Sequence, residues 1–404
     1  MRTSGGNRRC LLALVSTLSI GGSLLALPAT GAAAVCVMTV DVERTSTHTF
    51  ATGVRLSTYD VKVSGGGKSQ TASVQRLVMP KGSKPQLLHT QLGRTGTLPT
   101  QVKGQANRAA AAVNGDFFYQ YETGQGRIVL PRGVSVTRRH VVRADDEDMR
   151  VVGVDTAGRP YSGMLHVGGQ VTRESDPSRV AVPITGVNWH WLGSSGAVVY
   201  TNDWADGDAA PRPLAAVEWV VSDGRIVQVR TGNERGQDVK PGTRVIGFGS
   251  DHTATAKRAD RGDAVSVDIR QVTSSGVTLR EGVGRGATLV RDHEVAIACD
   301  APSTERRPRT TVGWLGTGRW ATLTVLGSGY DNHGYRVGGL GLPQTANVAQ
   351  VLGFTGNDEL DGGGSVASYV RRTSRWAGSR WDRVDDLDSR WVRSIPNGLA
   401  FSPR

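Results

Sequence analysis

Leu360-Asp361-Gly362-Gly363-Gly364-Ser365 is the stretch on which the fold of this chain turns. Ordering three consecutive glycines costs more conformational entropy than ordering any other tripeptide, so between packed elements they mark unusual dihedrals or a backbone lying against something bulky. On the N-terminal side, Leu342, Ala346, Ala349 and Leu352 recur at helical spacing, Pro343 suits a first turn, and Gly353 suits a stop. That helix leads through a strand into the glycines, and Val366-Ala367-Ser368-Tyr369-Val370 reads as the strand leaving them. The competing reading of the hexapeptide is a flexible connector.

The chain begins with Arg2, Arg8 and Arg9, an apolar run from Leu11 to Leu27, and Ala32-Ala33-Ala34, the pattern of a cleaved export signal over residues 1–34. No later stretch is apolar enough to span a bilayer, so a secreted protein without stable membrane insertion is expected. The net charge of +12 comes mostly from arginine spread along the chain rather than from a tail. It suits an anionic envelope or glycan partner, and export argues against nucleic acid. Cys10 falls in the signal, leaving Cys36 and Cys299 to pair in an oxidising compartment. A lipid anchor on Cys36 is the alternative, opposed by Val35, where a small residue is usual. Two cysteines cannot build a zinc site unaided, so no metal or cofactor is expected.

Residues 39–60 and 71–79 read as strands around Gly65-Gly66-Gly67, and residues 98–112 as a helix ending in Ala109–Ala112. Asn114-Gly115-Asp116-Phe117-Phe118 follows as a polar turn with two packing aromatics, or as an ordinary Asn-Gly turn with a solvated Asp. Residues 149–300 read almost wholly as strands, with Asp223-Gly224 a hairpin turn. Trp189, Trp191 and Trp204 lie there beside polar residues, while Asp203, Asp206 and Asp208 lack calcium-loop spacing. Past Cys299 come Arg309-Thr310-Thr311-Val312-Gly313, a strand at 321–326, and a tail interleaving Arg375, Arg380, Arg383 and Arg390 with Trp376, Trp381 and Trp391. The expected fold is mixed α+β and sheet-dominated. Its parts are 35–143 and 301–404, the two portions of one domain, and a β-rich insertion at 144–300.

The order N-G-D-F-F at 114–118, R-T-T-V-G at 309–313 and L-D-G-G-G-S at 360–365 resembles the phosphodiester glycosidase family. Gly284–Asp292 resembles the family's glycine-rich stretch before a turn, with His293 where Gly is usual, and Asn397-Gly398-Leu399 resembles its closing segment. Asp358-Glu359 departs from the usual Ala-Leu-Asn. The resemblance implies a glycosidase that hydrolyses a sugar-1-phosphodiester at the anomeric carbon, with envelope or exopolysaccharide glycans as substrates. Asp361 and Asp116 are the candidate carboxylates, one acting on water or the oxocarbenium-like centre and the other orienting the sugar. Arg309 is the candidate phosphate-binding cation, Gly362, Gly363 and Gly364 an anion nest, and Asn114, Thr310 and Ser365 supporting substrate contacts. Against this, Asp361 capping the glycine loop with Arg309 as its ion-pair partner is a purely structural arrangement. A serine hydrolase built on Ser365 fails because every histidine lies at or before His333. A non-catalytic glycan-binding protein using the Trp-rich segments is the alternative from another class.

Overall fold

Alternation sets the first sheet. In Arg55–Gly65, Tyr59, Val61 and Val63 are buried while Asp60 and Lys62 are exposed, the pattern of a strand with one face on the core. The computed structural model describes residues 36–403 apart from 66–67, 107, 124–125, 176–180, 191, 205–214, 233–235, 237, 300–304, 328, 331–335, 375–377 and 386–392. The export signal, Trp191, Asp206, Asp208, Arg375, Trp376, Arg390 and Trp391 therefore lie outside the described residues. Val35–Arg404 form one compact unit.

An eight-stranded antiparallel sheet runs Thr39–Thr49, Arg55–Gly65, Lys68–Val78, Trp320–Leu326, Arg309–Leu315, Phe354–Glu359, Thr288–Arg291 and Glu294–Val295. The helix Leu342–Val351, with Pro343 in its first turn, lays Val348 and Ala349 onto Tyr59, Val61 and Val74 of this sheet. Gly353, at a φ of 85°, releases the chain into Phe354–Glu359, the strand that delivers Asp361.

A five-stranded antiparallel sheet has the order Gly378–Arg383, Ser368–Ser374, Ala111–Asn114, Asn397–Ser402 and Lys84–His89. Here the structure corrects the helix expected over 98–112. The helix is Leu98–Gln105, and the alanines enter the central strand Ala111–Asn114. That strand pairs with Ser368–Val370 on one side and Gly398–Phe401 on the other, and Ala109–Ala112 are fully buried. Two ladders and a space that admits only small side chains override alanine's helix propensity.

The third sheet, of eleven strands, contains a closed ring. Ala181–Val187, His140–Asp145, Ser135–Thr137, Leu279–Gly284, Met149–Asp155 and Pro160–Arg173 pair in succession, and the last pairs back onto the first. Val136, Val151, Leu165, Val182 and Leu279 pack in the core associated with it, and closure leaves these strands no open edge. A disulfide joins Cys36 and Cys299, whose Cα atoms are 4.6 Å apart. Among the described residues no helix is long and apolar enough to cross a membrane.

Candidate functional site

The three motifs meet through one buried amide. Asn114 ends the central strand of the five-stranded sheet and is fully buried. Its Oδ1 accepts from Thr310 Oγ1 at 2.7 Å and from the Ala367 N–H at 3.1 Å, and its Nδ2 donates to the Asp361 carbonyl at 2.7 Å. The backbone repeats the connection, with the Leu360 N–H on the Thr310 carbonyl and the Asp361 N–H on the Gly115 carbonyl, both at 2.9 Å. This corrects the substrate contacts expected of Asn114 and Thr310. Both are fully buried and hold the motifs together instead.

Asp116 follows two residues later and is only 4% exposed. Its N–H donates to Asn397 Oδ1 at 2.9 Å, and its Oδ2 accepts from the Gly133 N–H at 2.5 Å. Gly284, which ends the strand Leu279–Gly284, leans on the carboxyl: a Cβ there would lie 2.3 Å from Oδ2, and one on Gly133 would lie 2.9 Å from it. Glycine is thus required at both places by steric approach. Burial raises the carboxyl to about 7, and the negative charge of Asp361 adds to the rise, whereas the Gly133 hydrogen bond and the charge of Arg143 oppose it.

Arg143 is fully buried, donates to the Asn188 carbonyl at 3.1 Å and to His190 Nδ1 at 2.9 Å, and lies 4.3 Å from the Trp189 ring centre. Burial, reinforced by Arg143, lowers His190 to about 4, so this imidazole is neutral at pH 7.

Asp361 is half-buried at the head of the glycine loop. Its Oδ1 accepts from the Gly362 N–H at 2.8 Å, and the Ser365 hydroxyl also bonds its carboxyl. Burial raises its pKa, opposed by those hydrogen bonds and by the charges of Arg393 and Arg307. Ser365 in turn accepts from Arg393 Nη1 at 3.3 Å. The Gly363 N–H donates to the Pro308 carbonyl at 2.8 Å, so two of the three glycine amides expected to form an anion nest are engaged within the protein. Gly364 is the exposed glycine.

Arg309 does not face open solvent. It is fully buried, with Nη1 on Glu359 Oε1 at 2.7 Å, Nε on the Leu340 carbonyl at 2.9 Å and Nη2 on the Glu305 carbonyl at 2.9 Å. Burial lowers it to about 10, still charged at neutral pH. The expected phosphate contact is corrected accordingly, since its fork is already occupied. Asp358 is likewise fully buried, 3.2 Å from Arg285 Nε and 2.9 Å from Ser162 Oγ. The two acids that depart from the family pattern are thus each matched by a buried arginine.

Sequence reasoning missed Gly133, Gly284, Arg143, Arg307 and Arg393. Of these, Gly284 lay in a segment already singled out and Arg307 in the basic run just before R-T-T-V-G, as Asn397 lay in the closing segment.

The fold and site define a sheet-dominated protein in which two motif carboxyls influence one another at the junction of three sheets. The family model for phosphodiester glycosidase matches residues 215–402. Over this stretch, just under half of its length, the chain is similar to the phosphodiester glycosidase family. The match takes in R-T-T-V-G, L-D-G-G-G-S and Asn397 and leaves Asn114 and Asp116 outside it.

Among solved structures, a hypothetical protein from Synechocystis is 19% identical with a TM-score of 0.62, over 86% of this chain and 62% of that one. This chain thus spans less than two thirds of that protein's length. A protein described as exported, from Burkholderia pseudomallei K96243, is 16% identical with a TM-score of 0.64, over 91% and 97%. These two likenesses concern the fold. The zebrafish N-acetylglucosamine-1-phosphodiester alpha-N-acetylglucosaminidase catalytic domain, auto-inhibited by its pro-peptide, is 14% identical with a TM-score of 0.44, over 91% and 89%. No curated protein matches the chain.

Proposed function

We propose that the protein is an exported glycosidase that hydrolyses a sugar-1-phosphodiester at the anomeric carbon, releasing the sugar and a phosphomonoester. The observation that carries this reading is the pair Asp116 and Asp361, two carboxyls in unlike surroundings. One is enclosed by glycines and raised to about 7, and the other is half-buried beside two arginines. Carboxyls held in different surroundings can divide acid from base roles. Asp116 holds the proton and orients the sugar or assists the departing oxygen. Asp361, whose charged form Arg393 and Arg307 favour against its burial, takes a proton from the attacking water and steadies the oxocarbenium-like centre. The C1–O bond breaks with its electron pair leaving on the phosphate oxygen, a good leaving group that asks little of a general acid.

Arg307 and Arg393, whose charges act on Asp361, take the role of phosphate-binding cations, and Gly364 is the exposed residue of the same loop. Arg309 is a positioning residue: through Glu359 and the Leu340 carbonyl it fixes the end of the strand that leads to Asp361. Envelope or exopolysaccharide glycans are the substrate class, and the Cys36–Cys299 disulfide suits an oxidising, extracellular setting.

The test is to incubate the purified protein with α-sugar-1-phosphodiesters of several sugars and assay free reducing sugar against an Asp361→Asn control. Release by the wild type, reduced at least a hundredfold in the variant, is expected. Folded wild type that releases no more than the variant from any sugar would favour a non-catalytic glycan-binding protein.

A further inference from the structure

Three hairpins turn through two residues that both have positive φ: Asp223-Gly224 at 49° and 71°, Asp292-His293 at 50° and 70°, and Arg138-Arg139 at 49° and 71°. The flanking pairs are Ser222↔Arg225, Arg291↔Glu294 and Thr137↔His140. This geometry strongly favours Asn-Gly or Asp-Gly, and two long side chains in succession are poorly suited to it. The Arg-Arg turn is nevertheless held firmly. The Arg138 N–H donates to Glu281 Oε1 at 3.2 Å, the Arg139 N–H to the Arg280 carbonyl at 2.9 Å, and Gln271 Nε2 to the Arg139 carbonyl at 2.8 Å. Glu281 Oε2 is occupied by the Leu87 N–H and Thr137 Oγ1, both at 3.1 Å. An unfavourable turn fixed by its surroundings is where a function for the side chains is to be sought.

Both arginines are exposed, and each lines a separate groove. Arg139 lines one of about 620 Å³ with Arg244 and Arg270, and Arg138 one of about 230 Å³ with Lys84 and Arg280. Of the two carboxylates that share these grooves, Asp268 is paired to Arg270 and Glu281 is buried under the turn. Among the described residues, Arg138, Arg139, Arg244 and Arg280 have no carboxylate within salt-bridge reach. Concave surfaces lined by one sign of charge focus the field and concentrate the opposite ion. The turn also has a fixed relation to the candidate site. Gly133, which donates to Asp116, lies five residues before Arg138, so the two are no more than about 18 Å apart along the chain.

We propose that the Arg138-Arg139 hairpin and its two grooves form a secondary binding site for a linear polyanion, the polymeric form of a phosphodiester-linked glycan. The hairpin straddles the chain so that successive phosphates fall on Arg139 and Arg244 on one side and on Arg138, Lys84 and Arg280 on the other. The nature of the polymer rests on the activity proposed above, whereas the binding itself does not.

The double variant Arg138→Asn/Arg139→Gly gives the turn its preferred residues and touches no group placed in the catalytic machinery. It is expected to fold and to melt no lower than wild type. Its affinity for fluorescent poly(glycerol phosphate) at low salt should fall about 25-fold, roughly fivefold for each arginine, with a shallower dependence on salt. Uncharged dextran should not bind. Hydrolysis of a small sugar-1-phosphodiester should be unchanged, while KM for a polymer linked through sugar-1-phosphodiester bonds rises at constant kcat. Polymer affinity equal to wild type would overturn the proposal, as would dextran binding as tightly as the polyanion. Should the double variant fail to fold, Arg244→Gln, outside the turn, is expected to lose about fivefold, and its failure to do so would be equally decisive. If neither protein hydrolyses the small substrate, the activity is refuted, and the direct binding measurement still decides the secondary site.

Discussion

Replacing Asp116 by Asn should make the protein more stable at alkaline pH while abolishing turnover. Asp116 is 4% exposed, and its folded-state value of about 7 stands well above the 3.8 of the free carboxyl. Holding its charge in the fold therefore costs on the order of 4 kcal/mol. The sign follows from proton binding. The folded protein holds this proton more tightly than the unfolded chain, so the stability it lends is complete below 3.8, declines as pH rises to about 7, and is gone above that. An amide of the same shape does not ionise and can still accept from the Gly133 N–H. The variant's advantage should accordingly be near zero at pH 4 and grow to about 1–4 kcal/mol at pH 8, the upper value applying where the amide fits without strain.

Urea unfolding of both proteins at pH 4, 6 and 8 measures this directly, and reducing-sugar release should fall by at least about a hundredfold in parallel. A difference that does not change between pH 4 and pH 8, or a variant that loses ground as pH rises, would refute the assignment of a buried, proton-holding carboxyl. A gain in stability with a loss of activity is the signature of a site kept strained for use.

Two further outcomes follow from the same geometry. Asn114→Ala removes three hydrogen bonds and leaves the Thr310 hydroxyl and the Ala367 N–H buried without their acceptor, so a loss of about 3 kcal/mol in urea unfolding is expected. Gly284→Ala puts a Cβ 2.3 Å from Asp116 Oδ2 and 2.8 Å from the Gly133 Cα. It should cost about 1–3 kcal/mol by overpacking and, by displacing the carboxyl, reduce sugar release at least about a hundredfold with little change in far-UV circular dichroism.

What the sequence made legible was local. Pro343 and Gly353 bracket the helix seen at Leu342–Val351, and Asp223-Gly224 turns the hairpin it suggested. His293 stands where the family has Gly, and its φ of 70° explains the usual residue. What stayed hidden depends on contacts between distant segments. Nothing near Ala109–Ala112 announces that Ser368–Val370 and Gly398–Phe401 will flank it, so helix propensity misled. Gly133 and Gly284 look like ordinary loop and strand-end glycines until the ring of strands brings both against Asp116. Arg309 read as a ligand-binding guanidinium because its partner, Glu359, lies 50 residues away and registers with it only across paired strands.

The Asn114 amide has a consequence for timing. Asp116 leaves the five-stranded sheet, Gly133 and Gly284 flank the ring of the eleven-stranded sheet, and Thr310 and Asp361 belong to the eight-stranded sheet and the loop that leaves it. No one of these layers contains all of the candidate site, so a chain in which only one sheet has formed lacks the arrangement on which the proposed activity rests. On the activity proposed above, the chain has no complete site until all three sheets have come together.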